Sequence, residues 1–284
     1  MSTPKVWIIT GCSSGFGKSI ALHAHSCGDY VIATARNPAK MDDLKAVGID
    51  TLAFDVTAPL SELKTLAERA FNLHGRIDYL VNNAGYFATG SLEEATPEET
   101  QAQFNTNVFG LLNTMRAFLP YMRAARSGVI ANFSSMAAWV GWPGTGLYCA
   151  SKWAATGLSE TMTEELKEFG IKVVCIEPGY FRSNVLKIGS RILRKQTIAD
   201  YEGDTAARKN EALMIAYDGK QAGDVEKGSK IVVDLLTGRL GKDIPVRLIL
   251  GPDAYQYVKA KCDGTMSLLD EWKDITDKTD LDVQ

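Results

Sequence analysis

Tyr148 and Lys152 stand four positions apart in a stretch, residues 148–169, whose pattern predicts a helix. That spacing puts both side chains on one helix face, where they can serve a single reaction centre. A phenol titrates near about 10 and is a poor acid or base at neutral pH unless a neighbouring cation favours its phenolate. Lys152 supplies such a cation. The pair suits proton transfer to a carbonyl oxygen, or from an alcohol in the reverse direction. Upstream, Ser134 and Ser135 follow a buried strand predicted over 129–133. Strand side chains alternate, so only one of these hydroxyls is expected to face that centre.

A second group lies near the N-terminus. Thr10-Gly11-Cys12-Ser13-Ser14-Gly15-Phe16-Gly17 joins a predicted strand over 5–9 to a predicted helix over 16–27. Glycines there let the backbone approach a pyrophosphate and let helix and strand pack closely. The unpaired N–H groups and the dipole at a helix start attract negative charge. A glycine cluster alone means little, but between a first strand and a first helix it reads as a phosphate-binding turn. Gly11, Ser13, Ser14, Gly15, Phe16 and Gly17 are accordingly the expected cradle.

These groups need a scaffold that brings them together. Short β-branched runs at 5–9, 30–34, 50–54, 77–81, 129–133, 171–176 and 246–250 alternate with helical patterns at 16–27, 38–47, 61–74, 97–126, 148–169 and 224–236. Such repetition implies a parallel sheet covered on both faces by right-handed crossovers. Val6-Trp7-Ile8-Ile9 and Val173-Val174-Cys175-Ile176 are continuously apolar, as strands buried on both faces require. The expected fold is α/β: a single-domain, Rossmann-type doubly wound sheet of seven mainly parallel strands. No linker rich in Pro, Gly or Ser divides residues 1–284. Residues 183–223 carry several basic residues and little β pattern, and a connection that long reads as a substrate lid. Residues 253–284 read as a C-terminal extension, a final helix with an acidic, polar end.

Composition narrows the function. Lys and Arg number 31 against 34 Asp and Glu, for a net charge of −3, which argues against a nucleic-acid partner. The longest apolar run, residues 212–217, is far short of the roughly 20 needed to span a bilayer, so no membrane span is expected. An apolar run already begins at Val6, leaving no room for a secretion signal, and a cytoplasmic protein is the expectation. Five scattered cysteines without a Cys-x-x-Cys pair predict neither disulfides nor a zinc site. His23, His25 and His74 fall in predicted helices without Cys or carboxylate partners at ligand spacing. They read as surface or packing residues, and no metal is expected.

The glycine turn is spaced G-x-x-x-G-x-G, and Asn82-Asn83-Ala84-Gly85, Asn107, Ser135, Tyr148-Cys149-Ala150-Ser151-Lys152 and Pro178-Gly179 follow it in order. In these features the chain resembles the short-chain dehydrogenase/reductase family over roughly residues 5–180. The stretches TGCSSGFG and EPGYFRSNV look most like the subgroup of 17β-hydroxysteroid and retinol dehydrogenases. The resemblance implies a catalytic set of Ser135, Tyr148, Lys152 and Asn107. Ser135, rather than Ser134, would polarise the substrate oxygen, and Asn107 would hold a water relaying protons between Lys152 and solvent. The resemblance also implies that Asp55 and Val56 border an adenine and that Asn83, Ala84 and Gly85 follow a ribose. Pro178 and Gly179 would flank a nicotinamide, with Phe181 and Ser183 near its carboxamide and Tyr148 and Lys152 also touching the cofactor. Ser183 departs from the family's usual Thr; a hydroxyl is kept, with an orientation less restricted than that of a β-branched residue.

Where an acidic residue at the end of the second strand would bond a ribose diol, the chain has Ala33-Thr34-Ala35-Arg36. The planar guanidinium of Arg36 suits a 2′-phosphate instead, and Ser13 and Ser14 can add hydroxyl bonds. NADP(H) is therefore expected over NAD(H). Tyr86, Phe87, residues 136–147, Tyr180 and the 183–223 segment are left to close a substrate pocket. Trp139 and Trp142 read equally as an aromatic wall or as cover for the core. The expected activity is that of an NADP(H)-dependent oxidoreductase acting on CH–OH donors, a carbonyl reductase of lipid or secondary metabolism. It would move a hydride between nicotinamide and a bulky hydrophobic ketone or secondary alcohol. The same residues leave open a catalytically silent NADP(H)-binding sensor or scaffold, and a non-redox isomerase or cyclase on the same fold. By resemblance, helices 97–126 and 148–169 would pair copies into a homodimer or homotetramer.

Overall fold

A computed structural model describes residues 3–187 and 191–281. Its elements in chain order are β1 (Val6–Thr10), α1 (Gly15–Ser26), β2 (Tyr30–Ala35), α2 (Asp42–Ala46), β3 (Asp50–Ala53), α3 (Leu60–His74), β4 (Tyr79–Asn82), β5 (Ala88–Thr89), α4 (Pro97–Phe104) and α5 (Leu111–Ala125). There follow β6 (Gly128–Phe133), α6 (Gly146–Lys167), β7 (Ile171–Pro178), β8 (Ile192–Leu193), α7 (Ala206–Tyr217), α8 (Val225–Leu236), β9 (Arg247–Leu250) and α9 (Pro252–Thr276).

Seven strands form one parallel sheet in the order β3-β2-β1-β4-β6-β7-β9. The chain runs outward from β1 to β3 and then resumes at β4 on the other side. The carboxyl ends of β1 and β4 thus frame the switch-point crevice where open α/β sheets take ligands. Alternation along β1 sends Trp7 and Ile9 toward α1, α2 and α8, and Val6 and Ile8 toward α3, α5 and α6. Each residue of β1 is buried because helices cover both faces.

The structure corrects several predicted elements. Residues 97–126 form two helices, α4 and α5, joined by a π turn at Asn105–Gly110. A Cβ on Gly110 would lie 3.0 Å from the Val56 carbonyl oxygen, so glycine lets this turn ride against the loop after β3. Apolar periodicity does not register the extra residue that a π turn inserts. Residues 38–47 are a 3-10 turn, Pro38–Met41, followed by the short α2.

The 183–223 segment is also more regular than its sequence suggested. It holds α7, and β8, which pairs in parallel with β5. Much of α7's apolar surface stays exposed, Leu213 and Ile215 included, which weakens the helical pattern. Charge ties the segment down: fully buried Glu94 receives the Arg208 guanidinium, lies 3.5 Å from Arg194 Nε and accepts the Ile198 N–H at 3.2 Å.

His74 does find a carboxylate, contributed by another element: its Nε2 lies 2.8 Å from Asp50 Oδ2 while its ring stacks on Tyr30, so it packs α3 against the sheet. Among the described residues, no three His, Cys, Asp or Glu side chains are grouped to hold a metal, and no helix is long and apolar enough to cross a membrane. Beyond Val258, α9 leaves the body and is exposed on all sides.

Candidate active site

The glycine turn is built where β1 stops. The buried Thr10 hydroxyl accepts the N–H groups of Asn83 and Ala84, both at 3.0 Å. In return, Asn83 Nδ2 donates to the carbonyls of Thr10 at 2.9 Å and Gly11 at 3.2 Å. The turn after β4 is thereby sewn to the turn after β1. Gly11 sits at φ +74°, and a Cβ there would come within 2.9 Å of Ala84 Cα. At Gly17 a Cβ would fall 2.5 Å from Asn83 Nδ2 and 2.6 Å from the Gly11 carbonyl oxygen. Gly17 and the Asn83 amide therefore shape the cradle from behind. Thr10, which opens the glycine turn but was not among the expected cradle residues, is the pin between the two turns.

At the start of α1, Ser14 occupies the N-cap in an extended conformation, with its hydroxyl unused for capping and no acidic residue in the first turn. Backbone amides and a hydroxyl are left to meet an anion. They open into a cleft of about 390 Å³. Gly11, Ser13, Ser14, Gly15 and Phe16 line it, as does exposed Arg36 beyond the end of β2. Asp55, Val56, Asn83, Ala84 and Gly85 border it too, and so do Pro178, Gly179, Phe181 and Ser183. Asp55 is itself fixed, since its Oδ1 accepts from the Thr57 N–H at 2.9 Å and hydroxyl at 2.8 Å. Glycines that a Cβ would jam, an uncapped helix start and a peripheral guanidinium together fit a dinucleotide.

β6 and α6 bring the serine, tyrosine and lysine singled out by sequence to the cleft. Ser134 turns inward, donating to the Lys152 carbonyl at 2.9 Å with the Thr156 hydroxyl also at 2.9 Å, and so fastens α6 to the strand. Ser135 turns the other way and lines the cleft, accepting the Ala137 N–H at 3.1 Å. Burial pushes the Tyr148 phenol up to about 12, while the Ser135 hydroxyl beside it pulls the other way. Lys152 is buried, donates to the Phe133 carbonyl at 2.8 Å and holds its ammonium 5.7 Å from the centre of the Tyr148 ring. Burial lowers it to about 8.

Asn107 lies in the π turn, beneath rather than on the cleft surface. Its Oδ1 accepts the Tyr86 N–H at 3.1 Å, and its Nδ2 donates to the Tyr86 carbonyl and to Ser151 Oγ, both at 3.0 Å. Ser151 passes the contact on to the Tyr148 carbonyl at 2.7 Å. A Cβ on Gly85 would sit 3.1 Å from Asn107 Oδ1 and 3.6 Å from Lys152 Nζ, so both polar groups lie on the side of that glycine where a side chain would stand.

The structure separates the two tryptophans. Trp139 belongs to the support: its Nε1 donates to Glu177 Oε2 at 2.9 Å, and Arg247 stacks 3.8 Å over its ring. Glu177, fully buried, also accepts from Arg247 Nη2 at 2.7 Å and from Thr156 at 2.9 Å. Sequence could not pair Glu177 with Arg247, because only the β7–β9 register brings them together. Trp142 lines the cleft and meets Tyr257 of α9 edge-on at 5.4 Å. Beyond Tyr148 the walls turn apolar: Phe87 packs edge-on against its ring at 4.6 Å, with Leu186, Met214 and Tyr180 alongside.

A parallel sheet with a glycine turn at its switch point and a serine, tyrosine and lysine over the same cleft fits a nicotinamide-type α/β oxidoreductase. The chain belongs to the short chain dehydrogenase family, whose model its residues 5–190 match. It is similar to Oxidoreductase BOA17 of Botryotinia fuckeliana, with 32% identity over 276 residues, covering 96% of this chain and 98% of that one. It is also similar to the 3-ketodihydrosphingosine reductase of Bacteroides thetaiotaomicron, 42% identical over 181 residues that cover 63% of this chain and 65% of the relative. Among solved structures, a short-chain dehydrogenase from Streptomyces avermitilis superposes with a TM-score of 0.86 at 34% identity, covering 99% and 100% of the two chains. A metagenomic short-chain oxidoreductase in complex with NADP gives 0.57 at 34% identity, covering 63% of this chain and 83% of that one. The protein is thus an oxidoreductase of this family, built for a nicotinamide cofactor.

Proposed function

We propose that this protein is an NADP(H)-dependent carbonyl reductase of lipid or secondary metabolism, acting on a bulky hydrophobic ketone and, in reverse, on the secondary alcohol. The observation that carries the reading is the position of Tyr148: its ring lies against Phe87 and the apolar wall while Ser135 and Lys152 attend it from the polar side. The nicotinamide, when bound, supplies or accepts the hydride. Ser135 orients the substrate oxygen, and Tyr148 gives it a proton. Lys152 holds positive charge beside the phenol, and Asn107, anchored to the Tyr86 peptide and to Ser151, holds a water that relays protons between Lys152 and solvent.

Arg36, Ser13 and Ser14 hold the 2′-phosphate in this reading, and the NADP in the metagenomic relative supports it. The relative named for reduction of 3-ketodihydrosphingosine supports a lipid-like ketone. Residues 183–223 act as the substrate lid, bringing Leu186 and Met214 to the cleft, and residues 253–284 act as an extension that buttresses it through Tyr257. The protein works in the cytoplasm as a homodimer or homotetramer.

The test is an assay of NADPH and NADH consumption with a panel running from bulky lipophilic ketones to small polar sugars. NADPH-dependent turnover of the lipophilic ketones is expected. A preference for sugars would overturn the substrate class, and tight NADPH binding without turnover of any compound would make the protein a sensor.

A further inference from the structure

Pro178 ends β7, Gly179 follows it, and the next peptide is held from a distant part of the chain. The Tyr180 N–H donates to Asp253 Oδ2 at 2.7 Å, across 73 positions of sequence. The Tyr180 carbonyl accepts the Gly223 N–H at 3.1 Å, and the Gly179 N–H donates to the Leu250 carbonyl at 2.9 Å. Both sides of the turn are therefore tied, and Asp253 is its side-chain anchor. Gly179 has a specific reason to be glycine here: a Cβ would stand 2.1 Å from Asp253 Oδ1. Pro252 opens α9 and Asp253 follows in its first turn.

We propose that Asp253 is a positioning residue for hydride transfer, fixing the Gly179–Tyr180 peptide so that the cofactor-side turn and the substrate-side wall are set together. The inference rests on the oxidoreductase reading above. Gly179 lines the cleft, and so does Tyr180, whose ring packs with Tyr148 and Phe87 and meets Tyr217 of α7 edge-on at 5.3 Å. A shift of the peptide moves the cofactor-facing turn and the ring beside the proton donor at once. Misplacement of about 1 Å is enough to cost on the order of a hundredfold in rate.

The experiment compares wild type, Asp253→Ala and Asp253→Asn. Asparagine keeps an acceptor oxygen, and alanine does not. Amide hydrogen exchange at Tyr180 is read in the cofactor-free protein. NADPH affinity is read by fluorescence, and kcat and its isotope effect with NADPH deuterated at the transferred position are read on the best ketone. In Asp253→Ala we expect faster exchange at Tyr180, kcat lower by about ten- to a hundredfold, a larger isotope effect and little change in NADPH affinity; Asp253→Asn restores all of these. Unchanged exchange at Tyr180, or faster exchange with wild-type kcat and isotope effect, overturns the proposal. Failure of the wild type to bind NADPH or NADH would instead sink the oxidoreductase reading, while the exchange measurement still reads the Asp253 contact.

Discussion

Tyr148 carries its proton throughout the neutral range, because burial pushes it up to about 12, whereas Lys152, lowered by burial to about 8, is the group that changes charge nearby. The sign follows: below about pH 8 the ammonium is present to stabilise the phenolate left after proton donation, and above it that help fades. Reductive kcat/KM should hold below about pH 8 and fall above it. Lys152→Met should give a low rate with the falling limb gone, and a wild-type limb in that variant would assign the titration elsewhere. Arg36 makes a separate prediction. Arg36→Ala should weaken NADPH binding by about ten- to a hundredfold, the worth of a charged hydrogen-bonded contact of about 1.5–3 kcal/mol, and leave NADH unchanged; equal losses for both cofactors in a fluorescence titration would contradict it. At this scale the i, i+4 pair and the glycine turn were readable because their spacing is local. The sewing of Asn83 to Thr10 and of Glu177 to Arg247 and Trp139 was not, since those partners come from elements far apart in sequence that meet only once the sheet is assembled.

Elements show where periodicity reaches its limit. The sequence pattern of α4 and α5 reads as one helix, yet the π turn between them is what presents Asn107 to Tyr86 and Ser151. A π turn at such a site is a common device for aiming a side chain. The segment carrying α7 depends less on burial than on the ions around Glu94. Burial pushes this carboxyl up, but Arg208 and the N–H groups of Ile198 and Ser91 outweigh it and hold it at about 2, against an ordinary 4.5. With the folded value below the unfolded one, the stabilisation is full above about pH 4.5 and drains away as pH falls toward 2. Pepsin should therefore cut within 191–217 increasingly as pH is lowered through that window, before it reaches the sheet. Glu94→Gln should open the same sites to a neutral protease at pH 7. Cleavage independent of pH would show that other contacts hold the segment.

The alternation of strand and helix patterns made the whole molecule readable: seven strands, parallel pairing and helices on both faces emerge as the sequence implies. What the pattern lacked was the extent of exposed apolar surface. Phe109, at the π turn, and Trp153, on α6, are each about half exposed, at 50% and 49%. This is the surface the proposed homo-oligomer would cover. Phe109→Glu combined with Trp153→Glu should reduce the mass measured by light scattering to that of one chain with NADPH binding kept; an unchanged assembly would move the interface elsewhere, the exposed Leu269 and Trp272 of α9 being a separate apolar surface.

The most direct measurement is Tyr148→Phe, assayed side by side for NADPH binding and for reduction of the best ketone. Removing one hydroxyl from a ring already packed against Phe87 leaves the cleft's shape intact. NADPH should bind as to wild type while turnover falls by about a hundred- to ten-thousandfold, the usual share of a general acid. Turnover preserved in the phenylalanine variant would contradict the account, because the proton would then come from another group.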